Sequence, residues 1–342
     1  MAPIITAYVW DRALPQVTAQ DAQRLTHINI AFGLVKDDKV VYDHLQNMEQ
    51  LDRLRALNPA LKFSLSVGGW GAGGFSEAAC TAQGRESFAQ TCAQAVDGLG
   101  LDGIDIDWEY PCIGVAGIAA SPDDRGNFTL LLREVRSALD RCTGPRKQLT
   151  IAAGADQYFI DGTQMDEAQQ ALDYVLLMTY DMRGGFQTLT GHHTNLHASA
   201  GDLYAISAER SARLFEQAGV PRQKLVLGAA FYGRKWTGVP NRNHGLFQMT
   251  PAAGGFGAHY ADLAENYIGK NGFVRYWDTE ACAPWLFNGD TFLSYDDEQS
   301  IGCKCDFIRE QGLAGIMYWE HSCDPTGTLL KAMHDKLYPS KP

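Results

Sequence analysis

The strongest constraint on this chain is one strand-like segment that carries its acidic residues on a single side. The segment reads Leu101-Asp102-Gly103-Ile104-Asp105-Ile106-Asp107-Trp108-Glu109-Tyr110. Successive side chains of a β-strand point to opposite faces, so Asp105, Asp107 and Glu109 share one face. Neighbouring carboxylates disfavour each other's ionisation, and a strand selected for stability alone would not group them. The pattern therefore predicts a chemical function for this face.

These acids have two other interpretations. Alternating acids also occur in loops that bind Ca²⁺ or Mg²⁺ through oxygen ligands, but such loops need glycine and polar residues for sharp turns. Ile104, Ile106 and Trp108 instead favour a strand with a buried outer face. The same alternation argues against a solvated acidic edge strand. We therefore expect no metal at this segment.

Strands and helices alternate along the whole chain. Strand-like segments occupy residues 4–9, 27–32, 62–67, 101–110, 149–153, 174–178, 225–230 and 315–318. Helical apolar spacing lies between or after them, as at residues 46–57, 87–99, 127–139, 298–311 and 328–337. This order predicts an α/β fold, a (β/α)8 TIM barrel, whose active site lies at the carboxyl ends of the strands. Glu109 lies at such an end.

One interruption divides the predicted barrel. Residues 237–292 are rich in glycine and aromatic residues and lack a strand–helix–strand pattern. We expect an inserted α+β module there, between the seventh strand and its helix, with the barrel formed by residues 1–236 and 293–342. Because the insertion emerges on the catalytic face, some of its aromatic residues are expected to form one wall of a cleft, and most of them the module's core.

Composition excludes several classes of partner. The net charge of −11 over 342 residues opposes binding to a nucleic-acid backbone. No apolar run approaches the roughly 18 residues that cross a membrane. The first residues lack a signal-peptide pattern, which as written predicts the cytoplasm, although a leader removed beforehand would leave the same sequence. We expect a monomer without nucleic-acid or membrane partners.

Cysteine and histidine spacing predicts neither a metal nor a cofactor. The eight cysteines include no C-x-x-C pair, and both disulfides and buried thiols are compatible with them. His192, His193 and His197 invite a metal, but Gly191 and the pair Thr194-Asn195 indicate a loop rather than a helix with two histidines on one face. We expect this loop to line the leaving-group side of a cleft.

The acidic segment is the first of several that resemble segments of a known family. Asp102-x-x-Asp105-x-Asp107-x-Glu109, followed by Tyr110-Pro111, resembles the signature of glycoside hydrolase family 18, the family of the chitinases. Segments on other strands resemble it too: Ser66-Val67-Gly68-Gly69-Trp70, Met178-Thr179-Tyr180-Asp181, Phe231-Tyr232-Gly233-Arg234, Phe292-Leu293-Ser294-Tyr295-Asp296-Asp297 and Gly315-Ile316-Met317-Tyr318-Trp319-Glu320.

The resemblance implies hydrolysis of β-1,4-linked N-acetylglucosamine with retained configuration, using the substrate's own acetamido group as nucleophile. Glu109 would be the general acid and base, and Asp107 would orient the acetamido group. Asp105 would share a proton with Asp107, and Tyr180 would donate a hydrogen bond to the acetamido oxygen. Asp102 is out of phase with these acids, and we expect it to bond backbone near the strand entrance.

The resemblance also implies a sugar-binding surface. Trp319 would lie under the sugar ring, while Asp181 and Arg234 would bind hydroxyl or acetyl groups. Residues on the same strand ends are further candidates for substrate binding: Trp70, Tyr232, Tyr8, Phe32 and Met178. The expected partner is chitin or an N-acetylglucosamine oligosaccharide, with soluble oligosaccharides favoured because no separate binding module is found.

Two other functions remain open from sequence. An endo-β-N-acetylglucosaminidase that cuts the core of N-glycans would use the same chemistry. A non-catalytic sugar-binding lectin would use the same barrel, but such relatives typically lose the acid that Glu109 supplies here.

Overall fold

The computed structural model describes residues 2–339. The strands of these residues are β1 Ile4–Trp10, β2 His27–Lys36, β3 Lys39–Val41, β4 Lys62–Gly68, β5 Gly103–Asp107, β6 Gln148–Gly154, β7 Tyr174–Met178, β8 Leu225–Ala230, β9 Tyr232–Trp236, β10 Gly255–His259, β11 Val274–Asp278, β12 Ala283–Phe287, β13 Phe292–Ser294 and β14 Gly315–Trp319.

The α-helices are α1 Ala19–Arg24, α2 Gln50–Leu57, α3 Phe75–Ala79, α4 Ala82–Leu99, α5 Asp124–Leu139, α6 Gln157–Asp161, α7 Met165–Ala168, α8 Ala208–Gln217, α9 Tyr260–Asp262, α10 Glu298–Gln311 and α11 Thr328–Leu337. Short 3₁₀ turns cover Asp11–Gln16, Val115–Gly117, Arg222–Lys224, Asn243–Gly245 and His321–Cys323, and a π turn covers Leu263–Tyr267. None of these helices is both long and apolar enough to cross a membrane.

A closed parallel barrel organises the molecule. Its strands follow the order β1, β2, β4, β5, β6, β7, β8 and β14, and β14 pairs with β1 to close the ring. The predicted (β/α)8 TIM barrel is therefore confirmed. A short strand that the sequence analysis missed, β3, forms an antiparallel hairpin with the extended end of β2.

Side chains of neighbouring strands fill the barrel interior. One buried cluster, from the consecutive barrel strands β6, β7, β8, β14 and β1, contains Ile4, Tyr8, Ala152, Leu176, Val226 and Met317. On the outer side of β5, Ile104 and Ile106 pack with the surrounding helices, and the Trp108 ring stacks on Phe75 with centroids 5.4 Å apart. The alternation predicted for the acidic segment holds, because its apolar residues face the helices and Asp105 faces inward.

The acidic strand is shorter than the sequence analysis expected. Regular pairing ends at Asp107, so Glu109 lies two residues beyond β5 at its carboxyl end. Asp102 lies just before β5, where its carboxylate accepts a hydrogen bond from the backbone N–H of Phe63 (3.0 Å) and one from Lys62 (3.1 Å). The predicted structural role of Asp102 at the strand entrance is confirmed.

A second sheet follows the seventh barrel strand. It is antiparallel, in the order β10, β9, β13, β12 and β11, and spans Tyr232 to Ser294. It begins five residues before the predicted insertion of residues 237–292, because β9 leaves the barrel almost directly after β8 and pairs with both β10 and β13. The division of the chain into a barrel and an inserted module stays a prediction.

A buried ion pair ties the barrel to the return from this sheet. Lys304 on α10 donates to the Asp296 carboxylate at 2.6 Å, and both side chains are at most 1% exposed. Asp296 also accepts hydrogen bonds from the Ala230 backbone (3.0 Å), the Thr194 hydroxyl (2.9 Å) and the Ser300 hydroxyl (2.7 Å). One carboxylate therefore holds together the end of β8, the loop after β7 and the start of α10.

Removing the charge of Lys304 tests this junction. Lys304→Met leaves Asp296 buried without its cation, and we expect a loss of about 3–5 kcal/mol in the free energy of unfolding, measured in urea. The control is Lys336→Met, which removes an exposed pair with Asp306 and should cost at most about 1 kcal/mol. Equal stability of the two variants would contradict this role for the pair.

Candidate active site

The innermost acid, Asp105, is completely buried and held by three hydroxyl groups. The hydroxyls of Tyr8 (2.9 Å) and Ser66 (2.7 Å) donate to its Oδ2, and that of Thr150 (2.6 Å) donates to Oδ1. Burial raises the pKa of Asp105, and these hydrogen bonds oppose that rise. Adjacent barrel strands supply Ser66 and Thr150 because both lie in register with Asp105.

The middle acid, Asp107, is 4% exposed, and its Oδ1 makes no hydrogen bond within residues 2–339. The hydrogen bonds described for Asp105 come from hydroxyls, and the proton expected to be shared between Asp105 and Asp107 stays a prediction. Burial raises the pKa of Asp107 well above its usual range, and the charges of Glu109 and Asp105 raise it further. Asp107 is thus a buried carboxyl group with an unused oxygen.

Two glycines let the backbone approach Asp107. Gly68 has φ +122°, and a Cβ there would lie 2.0 Å from the Asp107 carbonyl oxygen. Gly69 has φ +95°, and its backbone N–H donates to that same oxygen at 2.9 Å. A Cβ on Gly69 would lie 2.8 Å from the Phe32 ring. The Gly68-Gly69 pair is therefore required by sterics as well as by φ.

The outermost acid, Glu109, is partly exposed and has the acidity of a proton donor at neutral pH. Burial raises its pKa to about 7, and the charge of Asp181 contributes to the rise while a hydrogen bond with Tyr110 opposes it. Tyr180 lies near these acids: burial raises its pKa well above the usual range, and the charges of Asp107, Glu109 and Asp181 raise it further. Tyr180 is therefore a hydrogen-bond donor, and its hydroxyl lies 3.9 Å from Met317 Sδ.

Asp181 is the permanently charged acid of the site. Arg234 binds it with two hydrogen bonds, from Nε (2.6 Å) and Nη2 (2.5 Å), and the Tyr232 hydroxyl adds a third (2.7 Å). Burial tends to raise the pKa of Asp181, but the interactions with His193 and Arg234 outweigh this and hold it below its usual range. The first strand of the second sheet, β9, supplies both Tyr232 and Arg234, so that sheet is part of the site.

Aromatic side chains of β1, β2 and β14 pack against one another. Trp319, half-buried at the end of β14, stacks on Phe32 with centroids 5.6 Å apart and meets Trp10 edge-on at 5.4 Å. Tyr8 also contacts Trp319, at 5.8 Å, but Tyr8 is 1% exposed and its hydroxyl bonds Asp105. Tyr8 thus lies beneath the predicted lining and positions Asp105. Met178 is half-buried beside the interior layer of the barrel.

Two exposed aromatic residues contact each other. Trp70 is 55% exposed and Phe186 79% exposed, and their ring centroids lie 6.4 Å apart. On the second sheet, Phe256 is half-exposed and stacks on Tyr232 at 6.0 Å. Trp70 is one of the predicted site residues, whereas Phe186 and Trp10, which packs against Trp319, are not. Trp10 could have been found, since it lies two residues after Tyr8 and shares its face of β1.

The three histidines that suggested a metal face three different acids. His192 bonds Asp278 at 3.1 Å, and His197 bonds Glu209 at 2.8 Å. His193 is completely buried, and its Nδ1 lies 3.6 Å from Asp181. Sequence gave no signal for this support of Asp181 by His193, because the pairing depends on how the loop after β7 folds back.

The closed (β/α)8 barrel and the three acids on and just after β5 agree with the family resemblance of the sequence. The family model of the glycosyl hydrolases family 18 matches residues 5–324. The chain therefore belongs to glycosyl hydrolase family 18.

Relatives with known names agree with this assignment. Chitinase A1 of Niallia circulans is 38% identical over 83% of this chain, which spans only 43% of that enzyme. Chitinase B of Serratia marcescens is 29% identical over 93% of this chain and 77% of its own length. A family 18 N-acetylglucosaminidase structure from Paenibacillus barengoltzii is 58% identical, with TM-score 0.97 over 98% of this chain and 99% of that one.

The electrostatic coupling between Asp181 and Glu109 predicts a shift in pH dependence. Hydrolysis that needs protonated Glu109 should fall as the pH rises through about 7. Asp181→Asn removes a charge that raises this pKa, so the falling limb of kcat/KM should move to lower pH. Asp335→Asn, in an exposed pair with Lys331, should leave the limb in place. A limb that is unchanged or moves to higher pH in Asp181→Asn would contradict the coupling.

Proposed function

We propose that this chain is a retaining glycoside hydrolase that cleaves β-1,4-linked N-acetylglucosamine in chitin-derived oligosaccharides by substrate-assisted catalysis. The observation that carries the proposal is the unpartnered Oδ1 of buried Asp107, between hydroxyl-bound Asp105 and proton-donating Glu109. A buried oxygen without a donor is costly unless a ligand satisfies it. The acetamido N–H of a bound sugar is a donor of the required kind.

In the first step, Glu109 gives its proton to the glycosidic oxygen as the bond from that oxygen to C1 breaks. The acetamido carbonyl oxygen forms a new bond to C1, giving an oxazolinium ion. Tyr180 donates a hydrogen bond to this oxygen and holds it for attack. The free Oδ1 of Asp107 accepts the acetamido N–H, and this hydrogen bond stabilises the positive charge that develops on the acetamido nitrogen.

In the second step, Glu109 takes a proton from water while the water oxygen bonds to C1 and the oxazolinium ring opens. Two inversions at C1 give a product of retained configuration. A pKa of about 7 suits both roles of Glu109, because the group then gains and loses its proton with little cost near neutral pH.

Binding is assigned to the groups around the acids. Trp319 offers its face to the sugar, while Asp181 and Arg234 form a charged pair that accepts from and donates to hydroxyl or acetyl groups. The exposed rings of Trp70 and Phe186 suit the sugar on the leaving-group side. Because the P. barengoltzii relative is an N-acetylglucosaminidase, we infer that short oligosaccharides are cut to release N-acetylglucosamine.

Substituting the proton donor tests the assignment directly. Glu109→Gln keeps the shape of the side chain and removes its acidic proton, so the rate of hydrolysis of a chitooligosaccharide should fall by about 10²- to 10⁴-fold. The rate is measured by chromatography of the products. The control is Glu77→Gln, an exposed residue of α3, which should retain wild-type rates. A Glu109→Gln enzyme of unchanged activity would refute the role of Glu109.

Comparing substrates tests the class of sugar. The wild-type enzyme should cleave chitooligosaccharides from two to six sugars in length. NMR should detect the β-anomer of the product first, because configuration is retained. An N-glycosylated protein should release no glycan under the same conditions. Release from the glycoprotein alone would favour an endo-β-N-acetylglucosaminidase, and binding of chitohexaose without cleavage would favour a lectin.

A further inference from the structure

Three potential metal ligands, His259 from the second sheet and the sequence neighbours Glu320 and Cys323 from the end of the barrel, meet where the second sheet contacts the barrel. His259 ends β10, Glu320 directly follows Trp319 at the end of β14, and Cys323 lies in the next 3₁₀ turn. Their ligating atoms all lie within 4.8 Å of one another. His259 Nδ1 is 2.7 Å from Cys323 Sγ, which in turn is 3.1 Å from Glu320 Oε1.

The surroundings of this cluster are negative. Glu320 is 4% exposed and forms no salt bridge with a lysine, arginine or histidine in the described part of the chain. Its carboxylate accepts hydrogen bonds from Ser322 and Cys323, which carry no charge. Asp21 and Asp324 are buried close by, around His321. A buried carboxylate ordinarily has a cationic partner, so this one lacks the counter-charge that burial calls for.

We propose that His259, Glu320 and Cys323 bind one divalent transition-metal ion of the zinc type. An imidazole nitrogen, a thiolate and a carboxylate are three ligands that zinc accepts in tetrahedral sites. The thiolate and imidazole exclude Ca²⁺ and Mg²⁺, which prefer oxygen ligands alone. His259 is exposed, which leaves the fourth position to water and provides a route of entry. The thiol proton of Cys323 passes to solvent as the sulfur–metal bond forms.

The geometry needs only a small adjustment. Zinc bond lengths of about 2.0–2.3 Å place tetrahedral ligand atoms roughly 3.4–3.6 Å apart. His259 Nδ1 and Glu320 Oε1 must therefore each move from Cys323 Sγ by less than about 1 Å, and the ligating atoms of His259 and Glu320, at most 4.8 Å apart, must come within the same range of each other. The exposed imidazole of His259 can make the larger of these movements by rotation.

A metal here would link two parts of the sugar site. Its ligand Glu320 adjoins Trp319, and its ligand His259 lies opposite Tyr232 in the β10–β9 pairing. Tyr232 in turn bonds Asp181. The ion would hold the second sheet against the closing strand of the barrel, and its first effect is on stability.

The test uses the full chain after treatment with a chelator. Titration with Zn²⁺ against a chromophoric competitor measures the affinity, and titration with Co²⁺ and Cd²⁺ is followed by absorption spectroscopy. We expect one equivalent of tight binding, a thiolate-to-metal charge-transfer band, and a melting temperature that rises by several degrees with excess Zn²⁺. His259→Gln and Cys323→Ser should each weaken Zn²⁺ binding by at least roughly 100-fold and remove the rise in melting temperature. Cys323→Ser should also abolish the charge-transfer band.

The control is Cys80→Ser, which removes an exposed thiol outside the cluster and should leave affinity and spectra unchanged. His259→Gln changes an exposed side chain, so a folded variant is available even if Cys323→Ser loses stability. Absence of tight binding to the wild type would overturn the proposal. One tight site that survives in both His259→Gln and Cys323→Ser would overturn it equally.

Discussion

The burial of two adjacent carboxyl groups on one barrel strand is the constraint on which the rest of the site depends. Burial without compensation would cost several kcal/mol for each ion. The two acids are accommodated in different ways. Asp105 accepts hydrogen bonds from three hydroxyl groups, whereas the pKa of Asp107 rises well above its usual range. Gly68, which ends β4, lets the chain approach closely, and the backbone N–H of the next residue, Gly69, donates to the Asp107 carbonyl oxygen. The residues of the neighbouring strands are therefore matched to the two acids of β5.

The second sheet completes the site by fixing one charge. Asp181 stays ionised because Arg234 and His193 outweigh its burial. Burial raises the pKa of Glu109 to about 7, and the charge of Asp181 contributes to that rise. Arg234 is delivered by β9, whose position depends on the turn from β8. The buried Asp296–Lys304 pair holds that region. Acidity at Glu109 therefore depends on packing well outside the acidic strand.

Local patterns made much of this predictable from the sequence. Alternation identified the inward face of Asp105, the phase of Asp102 separated it from the other acids, and strand–helix alternation predicted the barrel. Features formed by distant segments were not accessible. The contact of His193 with Asp181 and the meeting of His259 with Cys323 depend on how loops and the second sheet close. Cysteine spacing alone indicated no metal, because only one of the ligands proposed here is a cysteine and His259 lies 64 residues before it.

The most direct measurement of the central claim compares substrates whose acetamido group carries none, one, two or three fluorine atoms on its methyl carbon. Fluorine withdraws electrons from the carbonyl oxygen and weakens it as a nucleophile without changing the leaving group. If this oxygen attacks C1, kcat/KM should fall steeply with each added fluorine. Rates that are independent of fluorine content would contradict substrate-assisted catalysis and direct attention to a nucleophile on the protein.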